Sequence, residues 1–192
     1  MNDELINAAQ RYAEELFRGN SDGHDYSHTM RVFRNAMEIL EQEPDADEEV
    51  VLLGALLHDV DDHKLFDTRD YANARGFLQG QGMDPDRIER ICEVIGSVSF
   101  SKNRGTVPST LEGKIVQDAD RLDAMGAVGI ARTFAYGGGH GRSIESSIEH
   151  FYDKLLLLKD GMNTESARKI ACRRHELMES FLNEIEDEMG LN

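Results

Sequence analysis

A run of apolar residues that ends at two strong metal ligands constrains this chain more than any other feature. The segment VVLLGALLHD places apolar residues almost without interruption from Val50 to Leu57 and then ends at His58 and Asp59. A helix that is hydrophobic on nearly every side is a buried helix, so its polar end must also be buried or open onto a cavity. Burying such side chains without partners costs free energy, and a bound cation is a common solution. We therefore expect His58 and Asp59 to form half of a metal site.

Helical spacing of apolar residues accounts for almost the whole chain, and no segment alternates with a period of two. One predicted helix is capped by Asp45 or Asp47 and ends at His58. The other predicted helices cover residues 3–18, 26–41, 70–80, 86–96, 109–134, 144–158 and 164–189. Ser109 and Glu112 form a capping-box pattern at the start of the helix at 109–134. Without a repeat, linker or low-complexity tract, the sequence predicts one all-α domain over residues 1–192.

The composition excludes several classes of function. No apolar run approaches the ~20 residues of a membrane span, and the polar N-terminus is unlike a secretory signal, so a cytoplasmic protein with no membrane partner is expected. The formal net charge of -16 argues against a nucleic-acid partner, which needs a basic stripe. Cys92 and Cys172 are the only cysteines and form no CxxC motif, which predicts neither a disulfide framework nor a cysteine-based zinc site. A homo-oligomer is compatible with the sequence.

Further histidine and aspartate residues lie on two other predicted helices. His28 lies in HDYSHTMRV on the second helix, and QDADRLDA places Asp118, Asp120 and Asp123 on one later helix. Three helices that each deliver nitrogen or carboxylate ligands, without cysteine, indicate Mn, Fe, Co, Ni or Mg rather than structural zinc. Because Asp118 and Asp120 lie about 200° apart around a helix, only one of them can face the same ion.

Together these motifs resemble the HD-domain superfamily of metal-dependent phosphohydrolases. The resemblance rests on the order of His28, His58-Asp59 and a later ADRLDA aspartate, and it covers the whole chain. The segments GHDYSH, LLHDVDDHK, SFSKN, IVQDADRLDAMGAVGIART and HFYDKLLLLKDGMNT are similar to a small bacterial and archaeal subgroup. One branch of that subgroup is associated with nucleoside triphosphate pyrophosphohydrolase activity. The resemblance implies an HD-type helical bundle that hydrolyses a phosphoric ester or anhydride of a nucleotide.

The resemblance also implies a ligand set. Members of the superfamily present the last ligand as the Asp of an Ala-Asp pair with a bulky residue two positions later, which matches Asp120 and leaves Asp118 as the alternative. The implied ligands of one divalent ion are His28, His58, Asp59 and Asp120. Two-metal members, such as cyclic-nucleotide phosphodiesterases, supply two further histidines before the last Asp. Here His63 is the only histidine between His58 and Asp120, so a single ion and a non-cyclic substrate are expected.

Related single-metal enzymes place a catalytic acid three residues after the HD aspartate, which here is Asp62. Asp61 and His63 flank Asp62, and the alternative for Asp62 is a solvated carboxylate at a helix end. Arg121 lies where related triphosphate-processing enzymes have a phosphate-contacting cation, although an ion pair with Asp118 explains it equally well. The candidates for contacts with substrate phosphates are Lys64, Lys102, Arg121 and Lys154.

Two segments rich in turn residues are expected to lie between helices. GSVSFSKNRGTVPS (residues 96–109) and YGGGHGRS (residues 136–143) each carry basic side chains, and each is either a lid over an anionic substrate or a solvated connector. His24 lies four residues before His28 and either contacts the site or holds the turn before the second helix. Together with the family resemblance, these basic side chains make a small phosphate compound, most readily a nucleotide, the expected substrate.

Overall fold

The structure is a computed structural model that describes residues 3–19, 25–98 and 106–191. Within these ranges the chain forms helices and turns and no strand, which confirms the predicted all-α class. The first helices are α1 (Asp3–Leu16), α2 (Tyr26–Leu40), α3 (Glu48–Leu57), α4 (Ala72–Gly80), α5 (Pro85–Val98) and α6 (Leu111–Asp123). They are followed by α7 (Gly126–Gly139), α8 (Ile144–His150), a π-helical turn (Phe151–Leu155), a 3₁₀ segment (Leu156–Gly161) and α9 (Glu165–Glu188).

The chain forms two compact units, Met1–Asp120 and Arg121–Asn192. In the first unit α3 is buried from Val50 to Leu57 and packs against α1, α2 and α5. In the second unit α9 packs against α7 and the 3₁₀ segment, and α7 packs against α8. The single domain over residues 1–192 stays a prediction. None of the described helices is both long enough and apolar enough to cross a membrane.

Aspartate side chains cap the N-termini of the two helices that position His28 and His58. Asp25 Oδ1 accepts the backbone N–H of His28 at 2.7 Å, which places His28 in the first turn of α2. Asp47, rather than Asp45, caps α3 by accepting the backbone N–H of Val50 at 3.3 Å. Two local capping bonds therefore fix where these helices start.

The close approach of α3 and α5 depends on Gly54. A Cβ atom at this position would lie 2.8 Å from Cγ1 of Val94 in α5. Valine has little rotamer freedom in a helix, so its side chain cannot simply turn away. Gly54 therefore keeps the buried helix that ends at His58 in direct contact with α5.

The predicted helix at 109–134 is wrong in one respect, because the chain forms two helices there. α6 ends at Asp123, and α7 begins at Gly126, whose φ of +69° suits glycine. A Cβ atom at Gly129 would lie 2.3 Å from the carbonyl oxygen of Ala124. Two glycines thus allow a sharp turn that the continuous apolar pattern did not indicate.

Several predicted boundaries also differ from the structure. Thr110, rather than Ser109, caps α6 through a hydrogen bond from the N–H of Gly113 at 3.1 Å, and Glu112 accepts the N–H of Asp47. The predicted loop at 136–143 is helical as far as Gly139. The predicted helix at 144–158 becomes a π-helical turn after α8 and then the 3₁₀ segment. The glycines at 137–139 therefore lie inside a helix, although their number predicted a loop.

Replacing Gly54 by alanine is expected to destabilise the protein by about 1–2 kcal/mol, because overpacking against Val94 outweighs the better helix propensity of alanine. Gly76→Ala is the matched control, since no atom lies within 4 Å of the added Cβ in α4. That control is expected to stabilise the protein by about 0.5–1 kcal/mol. Urea unfolding measures both changes, and a Gly54→Ala variant as stable as Gly76→Ala would contradict the role of the contact.

Candidate metal centre

Four side chains from three helices converge at the C-terminal end of α3. His28 lies in the first turn of α2, His58 and Asp59 directly follow α3, and Asp120 lies in the last turn of α6. One potential ligand atom from each of His28, His58 and Asp120 lies within 4.8 Å of the others. Asp59 adds Oδ2, which lies 3.4 Å from Nε2 of His28 and 3.2 Å from Nε2 of His58. The structure thus brings together all four predicted ligands.

The separations between these donor atoms fit one divalent ion. The two histidine Nε2 atoms are 3.2 Å apart, and Asp120 Oδ1 lies 3.5 Å from Nε2 of His28 and 4.0 Å from Nε2 of His58. Ligand bonds of ~2.1 Å separate donors by about 3 Å at a right angle and by about 4.2 Å across the ion. Every measured separation lies within this range. Two imidazole nitrogens with carboxylate oxygens suit a divalent ion such as Mn, Fe, Co, Ni or Mg.

The backbone orients His58 toward the cluster. Nδ1 of His58 lies 2.8 Å from the carbonyl oxygen of Ala55, so Nδ1 donates a hydrogen bond and Nε2 faces the other donors. Burial by itself lowers the pKa of His58, but Asp59 and Asp120 more than offset this effect and the pKa is raised. The negative surroundings that favour a proton on Nε2 also favour a metal cation, which would displace that proton.

The cluster is buried at its histidines and more open at Asp120. The side chains of His28 and His58 are 4% and 3% exposed, whereas that of Asp120 is 25% exposed. His58 also caps the C-terminus of α3, where the helix dipole contributes partial negative charge and favours a cation. Solvent therefore reaches the cluster on the side of Asp120.

Of the two candidate aspartates on α6, Asp120 lies beside both histidines, with Oδ1 3.5 Å from Nε2 of His28 and 4.0 Å from Nε2 of His58. Asp118 is fully buried, and helix geometry turns it about 200° away from Asp120. The position of Asp120 agrees with the ligand that the family resemblance implied, and its role as a ligand stays a prediction.

Asp61 and Asn73 fasten the turn after His58-Asp59 to α4. Oδ1 of Asp61 accepts the N–H of Asn73 and Oδ2 accepts the N–H of Ala74, both at 3.0 Å. The Asn73 amide donates back to the carbonyl of Val60 at 2.6 Å. Asp61 thus caps α4 with both oxygens, which gives it a structural role. The role of Asn73 could not be predicted from the sequence, because its partner lies twelve residues earlier and no local pattern connects them.

Asp62 lies in a tight turn directly after Asp61. Its Oδ1 accepts the N–H of Lys64 at 2.8 Å, and His63 Nδ1 lies 3.6 Å from the same oxygen. The carbonyl of Asp62 accepts the N–H groups of Leu65 and Phe66, each at 2.9 Å. The Asp62 side chain is only 16% exposed, so it is held in one orientation rather than freely solvated. Its catalytic role stays a prediction.

The predicted phosphate-binding cations lie in different settings. The Lys64 side chain is exposed, whereas Lys154 lies in the π-helical turn and is partly buried. Arg121 donates to the carbonyl of Gly161 at the end of the 3₁₀ segment. Lys102 and His24 lie outside the described residues. A phosphate contact by any of these side chains stays a prediction.

Comparison with known proteins identifies the family. The sequence profile of the HD domain matches residues 25–125, which is more than half of the chain and includes all four predicted ligands. The chain belongs to the HD domain family. The uncharacterized protein YpgQ of Bacillus subtilis is 40% identical to it over 187 residues, which cover 93% of this chain and 90% of that protein.

Solved structures of relatives have the same HD fold. The Lin1889 protein of Listeria innocua superposes with a TM-score of 0.82 at 37% identity and covers 100% of this chain and 99% of its own. An HD-superfamily hydrolase from Bacillus thuringiensis superposes with a TM-score of 0.84 at 34% identity, and the match covers 100% of both chains. The structure of B. subtilis YpgQ in complex with ADP superposes with a TM-score of 0.82 at 35% identity, and the match covers 96% of this chain and 95% of that one. The predicted HD-type fold is confirmed, and it is the fold of HD-superfamily hydrolases.

Metal analysis tests the ligand set. Wild-type protein purified without chelator is expected to carry about one equivalent of a divalent ion, because the donors are arranged around a single position. Alanine at position 28, 58, 59 or 120 should remove the ion, and Asp118→Ala, on the same helix, should keep it. Full occupancy in His58→Ala would show that the ion lies elsewhere, and loss in Asp118→Ala alone would move the last ligand to Asp118.

Proposed function

We propose that this protein is a metal-dependent phosphohydrolase that acts on a nucleotide, as a nucleoside triphosphate pyrophosphohydrolase. The observation that carries the proposal is the buried cluster of His28, His58, Asp59 and Asp120, open at Asp120. In the turn that follows Asp59, the backbone N–H of Asp62 donates to the Asp59 carbonyl at 3.0 Å, and the Asp62 carboxylate accepts the N–H of Lys64. Two of the four proposed ligands, His58 and Asp59, and the candidate acid therefore lie on one hydrogen-bonded turn.

The chemistry that a bound divalent ion supplies is polarisation of a phosphoryl oxygen and of water. His28, His58, Asp59 and Asp120 would hold this ion. Asp62 would orient the attacking water or give a proton to the leaving group, because a carboxyl group at hydrogen-bonding distance can do either. The bond from the N–H of Lys64 fixes one oxygen of Asp62, which limits the orientations that its carboxylate can take.

The ADP complex of B. subtilis YpgQ supports a nucleotide as the substrate class. A protein with a net charge of -16 repels polyanions at long range, so recognition must be local. We propose that the ion, Lys64, Lys102 and Arg121 supply the positive charge that a triphosphate needs.

The ADP complex of that relative supports nucleotide binding as much as turnover, so a regulatory nucleotide-binding module is the second candidate. A panel of nucleotides with Mn, Co, Ni and Mg, assayed for phosphate with and without added pyrophosphatase, separates the two. Phosphate that appears only with pyrophosphatase identifies pyrophosphate release. Nucleotide binding without any product would instead support the regulatory module.

Asp62→Asn is expected to lower turnover by about 10²-fold or more while the bound metal and the melting temperature stay near wild type, because a general acid or base is lost. Asp67→Asn is the matched control, since Asp67 is an exposed carboxylate nearby in the sequence and should leave turnover unchanged. Steady-state rates at equal metal occupancy measure the effect. Wild-type turnover in Asp62→Asn would remove the catalytic role and direct attention to His63.

Nucleoside triphosphates are expected to give a higher kcat/KM than monophosphates, because a longer phosphate chain can reach both the ion and the nearby cations. Arg121→Ala should reduce kcat/KM for a triphosphate much more than for a monophosphate. Lys169→Ala, which removes an exposed cation from α9, is the control and should change neither value. Equal kcat/KM for both substrates in the wild type would point instead to a 5'-nucleotidase or another phosphomonoesterase.

A further inference from the structure

Asn35 is a buried polar side chain among apolar neighbours in the middle of α2. It is 6% exposed, and Val32, Ala36 and Ile39 around it are fully buried. Its Nδ2 donates a hydrogen bond to the carbonyl oxygen of Ala119 in α6 at 2.9 Å. Burying an amide costs free energy, and the hydrogen bond that it makes contributes little net stability after this cost. The amide therefore needs an explanation beyond simple packing.

The Asn35 bond joins the two helices beside residues that belong to the metal centre. Asn35 follows His28 by seven residues, which is nearly two full turns, so both side chains leave the same face of α2. Ala119 immediately precedes Asp120 in α6. The hydrogen bond thus fixes both the rotation and the height of α6 at the residue next to Asp120.

A single buried hydrogen bond can set helix register in a way that apolar contacts do not. Apolar side chains tolerate small rotations and translations of a helix, whereas a displaced amide and carbonyl would be left unpaired in the core. The donors of the cluster demand such precision, since Asp120 Oδ1 lies only 3.5 Å from Nε2 of His28. A shift of roughly half an ångström is enough to spoil a ligand set.

We propose that Asn35 is a positioning residue for the metal centre. It holds α6 against α2 in the one register that brings Asp120 to His28 and His58. The role rests on the proposed metal site and acts through Asp120, since Asn35 is not itself a ligand.

The test replaces Asn35 by leucine, which has a similar branched shape and no donor. Titration calorimetry of metal-free protein with Mn²⁺ is expected to show a Kd weakened by about 10–100-fold, the usual cost of losing a group that orients a ligand. The visible absorption of the Co²⁺-loaded protein should change, because the coordination of the ion changes. The melting temperature of the metal-free variant should fall only slightly, because burial of the leucine side chain offsets part of the lost hydrogen bond.

Ile39→Val is the matched control on the same buried face of α2, because it removes packing but no hydrogen bond. It should lower the melting temperature and leave the Mn²⁺ Kd and the Co²⁺ spectrum unchanged. Should Asn35→Leu fail to fold, the smaller Asn35→Ala is measured in the same way, with the same expected loss of affinity.

An unchanged Mn²⁺ Kd and Co²⁺ spectrum in a folded Asn35 variant would overturn the positioning role alone. A wild-type protein that binds neither ion would overturn the metal site and, with it, this inference. The two failures are therefore distinguishable, because the first leaves the wild-type titration intact.

Discussion

The strongest constraint on this structure is the convergence of electron-donating groups at the buried end of α3. Two imidazole nitrogens lie 3.2 Å apart with two carboxylates beside them. Their lone pairs and negative charges repel one another unless a proton or a cation lies between them. The surrounding structure holds them together nonetheless. Asp25 and Asp47 fix the starts of α2 and α3, and Gly54 keeps α3 in close contact with α5. The stability of the helical core is what makes so crowded a cluster possible.

The five residues of the HDVDD segment perform different tasks because the chain leaves its helix there. His58 and Asp59 face the donor cluster, and Val60 is buried in the core. Asp61 caps α4, and the Asp62 carboxylate accepts the backbone N–H of Lys64. Three aspartates in four positions thus have three distinct environments. Sequence alone could not assign them, since each depends on which backbone groups come near after the chain has turned.

The sequence predicted what local spacing determines. The apolar run before His58, the helical period and the separation of Asp118 from Asp120 around a helix all follow from residues close together in the chain. Contacts between a side chain and a backbone group far away in the sequence could not be predicted, as with Asn35 and Ala119, which are 84 positions apart. The end of α6 was missed for a different reason: residues 109–134 keep a helical pattern, and the break depends on the positive φ of Gly126 and on the close approach of Gly129 to Ala124. A polar residue two turns after His28, in an apolar stripe, was the available signal for Asn35.

The wide spacing of the cluster along the chain has a consequence for the lifetime of the molecule. Residues 28, 58 and 120 meet only after most of the unit Met1–Asp120 has folded, so an ion held by them would bind the native chain and not its unfolded form. By mass action, such an ion at a hundredfold excess over its Kd would add about 2.7 kcal/mol to the free energy of unfolding. Proteases act on opened molecules, whose population falls as that free energy rises. The concentration of available metal would then govern how long each copy of the protein survives.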